Sequence, residues 1–139
     1  MERAENNKKL QEKYMDIVYK SRNNEDKSSH IGAANAITIL NASYYKFSEK
    51  DLSNIKIPGA DLGGGEFVNT DFTNADLSEV NLSSTILSKA KFIGTKMTNV
   101  ELLPIIIFDY DISFIDQSFD NELIAVGSGK SLFIYDREL

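Results

Sequence analysis

The sequence contains no cysteine, one histidine (His30) and no apolar run long enough to cross a membrane. Without cysteine the chain has neither a disulfide framework nor a thiolate metal site, and one histidine offers little to a metal that needs several converging ligands. The longest apolar run, residues 102–108, contains Pro104 and falls short of the roughly 18 residues of a membrane span, and no leading stretch has the form of a signal peptide. We therefore expect a cytoplasmic protein with no metal, no cofactor and no membrane contact.

The chain also lacks an excess of basic residues. Its net charge is −6, from 15 basic and 21 acidic residues. The excess acid lies toward the C terminus, since residues 1–44 sum to +1, residues 45–104 to −2 and residues 105–139 to −5. Nucleic-acid binding requires a basic footprint, so we do not expect nucleic acid as a partner.

Large apolar residues recur at every fifth position between Tyr45 and Pro104. Helices repeat near about 3.6 residues and strands near about 2, so neither explains this spacing. Two residues before most of these positions stands a smaller residue, and residues two apart on an extended chain point the same way. Each unit therefore offers one large and one small side chain to a common interior. The predicted structural core consists of Phe47, Leu52, Ile57, Leu62, Phe67, Phe72, Leu77, Leu82, Leu87, Phe92, Met97 and Leu102.

The other residues of each unit are polar or turn-forming. The residue between the small and the large one is mostly Asp, Asn, Glu or Lys, which we expect to face water and to aid solubility. The two residues after the large one are rich in Gly, Pro, Asn and Ser, as in Pro58-Gly59 and Thr73-Asn74, and these residues favour turns. Repetition of a short extended piece and a turn predicts a solenoid wound around a narrow apolar axis.

The units resemble the pentapeptide-repeat family, whose pattern is A-(D/N)-L-x-x. Ala60-Asp61-Leu62 and Ala75-Asp76-Leu77 match that pattern outright, and Val80-Asn81-Leu82 and Ala90-Lys91-Phe92 match it with substitutions. The resemblance covers residues 45–104, about two fifths of the chain.

This resemblance implies a mainly β fold, a right-handed quadrilateral β-helix with four units per coil. Twelve units then make about three coils. Tyr45 and Lys50 stand where a small residue belongs, so we expect the first coil to be irregular.

The segments on either side resemble parts of larger proteins. Residues 32–62 are similar to the segment that opens pentapeptide-repeat regions in proteins with a NACHT-type signalling ATPase upstream and WD40 repeats downstream. Residues 118–136 resemble the start of a WD40 unit, with strands expected at Leu123–Gly127 and Leu132–Asp136. A propeller needs at least about four blades to close. We therefore expect residues 105–139 to form a short β segment that resembles part of a WD40 blade.

The N-terminal third is predicted to be helical. Residues 1–29 comprise an amphipathic helix, Glu5–Lys20, and a polar loop, and residues 30–44 contain a second helix that Ser28 or Ser29 caps. A solenoid exposes apolar core and unpaired backbone at its ends, so the second helix is predicted to cover the first coil. The first helix docks either on the coil or on a partner. The predicted apolar faces contain Leu10, Tyr14, Ile17 and Val18 on the first helix and Ile31, Ala34, Ile37 and Leu40 on the second.

The C-terminal residues suit a small sheet. Residues 105–115 favour one strand, which with the two WD40-like strands makes a three-stranded meander. So small a sheet is marginal alone. It either covers the last coil or pairs with a second molecule as a strand-mediated homodimer, and both alternatives stay open.

Two features have the outward form of chemical motifs. Residues 127–131, Gly-Ser-Gly-Lys-Ser, end like a phosphate-binding loop, but Ile124 stands where the first glycine of G-x-x-x-x-G-K-[ST] is required and a strand pattern follows. We expect a hairpin turn there. His30 lies beside a helix start without a nucleophile elbow, which favours a solvated or capping role.

The sequence thus predicts a non-enzymatic structural or protein–protein interaction module with an unidentified protein partner and no small-molecule substrate. Some pentapeptide-repeat proteins imitate the charge of DNA and protect topoisomerases, and this is the first alternative. Lys56, Lys89, Lys91 and Lys96 interrupt the acidic rows that such mimicry needs. The second alternative is a truncated product of a larger WD40-containing signalling protein.

Overall fold

The computed structural model describes residues 2–101, 114–117, 123–128 and 131–136. In chain order these form α1 (Glu2–Lys20), a 3-10 turn (Ser21–Asn23), α2 (Lys27–Ala42), a coil of short extended pieces and turns, and three strands. The strands are β1 (Phe114–Gln117), β2 (Leu123–Ser128) and β3 (Ser131–Asp136).

The second helix begins earlier than predicted. Its N-cap is Asp26, whose extended backbone and carboxylate let it accept a hydrogen bond from the Ser28 N–H at 3.2 Å. Neither Ser28 nor Ser29 is the cap, so that prediction was wrong. An aspartate caps a helix as well as a serine does, and the apolar periodicity that marks a helix in a sequence starts one turn later than this cap.

The two helices pack against each other through faces that differ from those predicted. Val18 is buried and Tyr14 half-buried, but Met15 is buried in place of the expected Leu10 and Ile17, which are 48% and 40% exposed. On α2 the buried residues are Ala33, Ala34, Ala36, Ile37 and Leu40, whereas Ile31 is 59% exposed. Small alanines let a neighbouring backbone approach closely, so they, and not Ile31, form the contact face.

The coil repeats every twenty residues. Parallel backbone bridges join every fifth residue to the one twenty positions later, from Asp51 with Asp71 to Asn81 with Glu101. The backbone hydrogen bonds around each bridge follow the same pattern. At the first bridge, Leu52 N–H donates to Asp71 O at 2.7 Å and Asp71 N–H donates to Lys50 O at 3.0 Å. One winding therefore holds four five-residue units, and each winding supplies the backbone partners of the next.

Each unit turns through a residue in the left-handed region. The residue two after each large apolar position has φ between 53° and 75° from Glu49 to Asn99. Glycine and asparagine tolerate this conformation, and other residues adopt it at a cost. The exceptions in the coil are Glu49, Glu79, Ser84 and Lys89.

Replacing Glu79 with glycine is expected to stabilise the protein. Glu79 is exposed with φ 60°, so the change relieves left-handed strain of about 1–2 kcal/mol and loses part of that gain to the greater freedom of glycine in the unfolded chain. We expect a net gain of about 0.5–1 kcal/mol in urea unfolding. The control is Glu79→Ala, which keeps the strain and should give no gain.

The inward side chains form columns along the coil. Phe47 stacks on Phe67 with ring centroids 5.0 Å apart, and Phe72 stacks on Phe92 at 5.3 Å. Ten of the twelve predicted core residues, from Phe47 to Phe92, are buried; Met97 is half-buried against the same cluster and Leu102 lies outside the described residues. Ile55 is also fully buried, at a position where later units carry a small residue, and it shares a cluster with Val18 and Ile37 of the helices.

The three strands form an antiparallel sheet in the order β1-β2-β3. Phe114 pairs with Gly127, and Leu123 pairs with Asp136. Leu123 is half-buried and packs against the hydrophobic core that the coil and the helices share. The strand predicted over residues 105–115 falls mostly outside the described residues, and β1 begins at Phe114.

Candidate interaction surface

The first winding of the coil has no preceding winding to accept hydrogen bonds from its backbone N–H groups. Side chains of the 3-10 turn and of α2 accept two of these bonds instead. In later coils the N–H of each bridge residue donates to a carbonyl twenty-one positions earlier, as Asp76 N–H does to Ile55 O at 2.8 Å. In the first coil Lys56 N–H donates to the Ser21 hydroxyl at 3.0 Å, and Asp61 N–H donates to the Thr38 hydroxyl at 2.9 Å. Two side chains thus take the place of a preceding winding for two of the bridge residues of the first coil.

The end of α2 also inserts into the first coil at Gly65. Asn41 donates its side-chain N–H to Gly63 O at 3.0 Å. A Cβ added at Gly65 would lie 2.5 Å from Asn41 Oδ1 and 2.9 Å from Leu62 O, both closer than atoms can approach without displacement. The absence of a side chain at Gly65 therefore leaves the space that Asn41, at the end of α2, occupies.

A cavity of about 520 Å³ lies at this junction. Its lining includes Tyr44, Lys46, Asp61 and Glu66, so its walls carry both signs of charge. Tyr44 is 94% exposed and has φ 57° directly after α2, a position where glycine is the usual residue.

The aspartates of the repeat hold the turns together as well as facing water. Asp76 Oδ1 accepts hydrogen bonds from the Ser78 N–H at 3.0 Å and the Ser78 hydroxyl at 2.6 Å. Asn81 makes the same pair of bonds with Ser83, at 2.9 and 2.6 Å. An Asp or Asn side chain that bonds the backbone two residues on fixes a turn. The prediction that these residues serve solubility alone was incomplete.

Hydrogen bonds of this kind lower the pKa of Asp51 and of Asp76. Ser53 donates to Asp51 through its hydroxyl and its N–H and lowers the pKa of that carboxyl. Partial burial alone would raise the pKa of Asp76, but the two bonds from Ser78 and the charge of Lys96 outweigh burial and hold that pKa below its usual value. The folded chain therefore favours the ionised form of these two carboxylates.

Acid is expected to destabilise the coil partly through Asp76. Because its folded-state pKa is lowered, its contribution is complete above the unfolded pKa of about 3.9 and is lost as pH falls through the folded value. Asp76→Asn keeps the Oδ1 acceptor, as Asn81 does naturally, and removes the titration. We expect this variant to lose less stability than the parent between about pH 7 and pH 3 in urea unfolding.

Asp76→Ala is the matched comparison because it removes the acceptor itself. It should cost about 1–2 kcal/mol at neutral pH. Equal pH dependence of the parent and Asp76→Asn would contradict the role assigned to this carboxyl.

The outward bridge residues form columns of unlike charge. Lys91 lies 3.6 Å from Asp71, and Lys96 lies 3.4 Å from Asp76. These pairs neutralise two sides of the coil, although each exposed pair stabilises the fold by at most about 1 kcal/mol.

A third side keeps its acidic character. Asp61, Asn81 and Glu101 follow one another along it, and Asn81 donates its side-chain N–H to Asp61 at 2.9 Å. We call these three residues the acidic column. Glu66 lies near Asp61, the first residue of the acidic column, because both line the same cavity.

The motifs that suggested chemistry do not assemble a site. Ser128 of β2 pairs with Ser131 of β3, so the described ends of this motif belong to two antiparallel strands, whereas a phosphate-binding loop leads into a helix. His30 lies with Nε2 2.7 Å from Asn24 O, beside the cap of α2. Within the residues that the structure describes, no three His, Cys, Asp or Glu side chains are grouped to hold a metal ion, and none of the described helices is long and apolar enough to span a bilayer.

Comparison with known families identifies the repeat. The model for pentapeptide repeats matches residues 66–102 in eight copies, about a quarter of the chain. The match starts fifteen residues, or three units, after Asp51, the first bridge residue of the coil, and it leaves out Lys56 and Asp61, whose backbone N–H groups bond to Ser21 and Thr38. No curated protein and no solved structure matches the chain.

Proposed function

We propose that the chain is a non-enzymatic structural or protein-interaction module, whose coil is a right-handed, four-sided β-helix of about three windings. Pentapeptide repeats at residues 66–102 support the general class. The proposed role is to hold a rigid face toward a partner protein or to space neighbouring domains.

The acidic column is the observation that carries this proposal. Its side chains stand on consecutive windings about 4.8 Å apart, and the stacked core beneath them fixes their spacing. The columns of Asp71 and Asp76 are paired with lysines, so charge on those sides is already satisfied within the chain. A partner with a basic, extended surface fits the remaining side, because unlike charge orients an approaching protein.

Site-specific photo-crosslinking tests the proposal. A photoreactive side chain is placed at Glu101 in the acidic column or at Glu66 in the neighbouring column, and at Lys91 on a paired side as the control; all three positions are exposed. We expect a discrete protein adduct from the first two positions in the cells that make the chain, and little from Lys91. Equal adducts at all three positions, or none, would contradict a face-specific scaffold.

DNA mimicry is a weaker alternative on the described surface. Mimicry needs continuous acidic rows, whereas Lys91 and Lys96 pair with the aspartates below them. We expect no inhibition of gyrase supercoiling at micromolar concentrations of the chain. Inhibition that Glu101→Lys abolishes would instead favour mimicry.

We further propose that residues 105–139 are a partial WD40-like blade, which associates the chain with larger proteins of the WD40-containing signalling type. The antiparallel β2–β3 pair supports this proposal. The neighbouring coding sequence tests it, since WD40 units following residue 139 are expected if the chain belongs to such a protein. The cytoplasm is the compartment that we propose for it.

A further inference from the structure

After Lys27 in its first turn, α2 carries no Asp, Glu, Lys or Arg on its outward face. Residues 28–45 contain no Asp, Glu, Lys or Arg. Ile31 and Ile39 are 59% and 46% exposed, and Asn35, one helical turn from each, is exposed between them. Solvent-facing helix surfaces are usually charged or polar, and depletion of charge is typical of the centre of a protein interface.

Helix α1 extends this apolar surface. Leu10 and Ile17 are 48% and 40% exposed, one above the other on α1. A Cβ on Gly32 of α2 would lie 4.0 Å from Ile17 Cγ2, so Ile17 borders the exposed side of α2. Because the two helices form a hairpin, Leu10 lies toward the end of α2 that carries Ile39. We call Leu10, Ile17, Ile31, Asn35 and Ile39 the hairpin face.

The chemistry of the hairpin face fits a second copy of this chain. In a two-fold symmetric dimer the same patch meets itself, so residues near the axis face their own equivalents. A charged side chain near the axis would face the same charge on the other protomer. An amide side chain is both donor and acceptor, so it can form hydrogen bonds with the same amide of the other protomer. Asn35 supplies that amide at the centre of a row of isoleucines, and a single buried asparagine is known to set the register of paired helices.

We propose that the hairpin face is the interface of a two-fold symmetric homodimer, with the axis beside Asn35. This proposal rests on the proposed function as an interaction module, and it names a second copy of the chain as one partner of that module. Two chains of net charge −6 repel each other, and residues 27–45 contain no Asp or Glu, so the α2 part of the hairpin face is a surface on which that repulsion is small. Added salt screens the repulsion without weakening apolar contacts, and we expect the dimer to tighten with ionic strength.

Sedimentation equilibrium of the full chain tests the dimer. We expect the parent chain to dimerise in the micromolar range, and both Ile39→Lys and Asn35→Asp to weaken dimerisation at least about tenfold, because each puts like charges together near the axis. Ile93→Lys is the matched control, since Ile93 is also 46% exposed but lies on the coil. It should dimerise as the parent does. Circular dichroism and thermal unfolding of each variant verify that it folds.

Several outcomes would overturn the proposal. A parent chain that stays monomeric at about 100 µM excludes a dimer of useful affinity. Folded Ile39→Lys and Asn35→Asp that dimerise like the parent place the interface elsewhere. In that case loss of the dimer in Ile134→Pro, on β3, would assign it to the strand edge. Crosslinking from Glu66 and Glu101 tests the coil surface and not the hairpin face. A monomeric chain that still gives these adducts would contradict the dimer alone, and a dimeric chain without them would contradict the scaffold function alone.

Discussion

Replacing Phe72 with alanine is expected to lower the free energy of unfolding by about 3–5 kcal/mol. Phe72 is completely buried, and its ring lies 5.5 Å from that of Phe67 and 5.3 Å from that of Phe92, centroid to centroid. The coil interior is narrow and its backbone is held from above and below, so the walls cannot collapse into the space left behind. The melting temperature should fall by roughly 10–20 °C.

The matched variant is Phe72→Leu. Leucine occupies the equivalent position one winding earlier, at Leu52, which is also fully buried, so this change should cost less than about 1.5 kcal/mol. Calorimetry and urea unfolding of both variants measure the difference. If Phe72→Ala melts at the temperature of the parent, the ring does not support the core in the way that the structure indicates.

The spacing of apolar residues was sufficient to predict the interior of the coil. A five-residue period leaves each large residue facing the same way, and the ten positions from Phe47 to Phe92 are buried. The polar residue before each large one was predicted to face outward, but its hydrogen bond to the backbone two residues on was not. That role is visible in the pairing of Asp76 with Ser78 and of Asn81 with Ser83, and the preference for Asp or Asn at this position was its signal in the sequence.

The way in which the helices cover the coil could not be predicted. Ser21 was placed in a loop and Thr38 on a helix, and no local pattern connects either residue to a backbone N–H thirty-five or twenty-three positions later. Contacts of this kind depend on the docking angle of the hairpin, which is set by packing between distant residues. The same limit applies to the exposed Leu10, Ile17 and Ile31, because periodicity identifies an apolar face but not the angle at which it meets the protein.

Gly65→Val is expected to be among the most damaging single changes in the chain. Even a Cβ at this position would lie 2.5 Å from Asn41 Oδ1, 2.6 Å from the Phe67 ring and 2.9 Å from Leu62 O. Valine adds two further carbons. We expect a loss of about 3 kcal/mol or more in urea unfolding, the upper range for overpacking. Thr85→Val is the control, because Thr85 stands one winding later in the same column, is also buried and already holds a branched side chain. That change removes only the hydrogen bond from the Thr85 hydroxyl to Leu82 O and should cost about 0.5–1.5 kcal/mol.

A double-mutant cycle separates the fit of the helix from strain within the coil. Alanine is tolerated at the equivalent Ala60 and Ala75, so Gly65→Ala should be damaging chiefly because Asn41 occupies the space. Asn41→Ala removes that neighbour, and with it the hydrogen bond to Gly63 O. We expect Gly65→Ala to cost clearly less in the Asn41→Ala background than in the parent, with a coupling of about 1 kcal/mol or more. Strict additivity would show instead that Leu62 O and the Phe67 ring alone exclude a side chain, and that the helix end and the first coil are energetically independent.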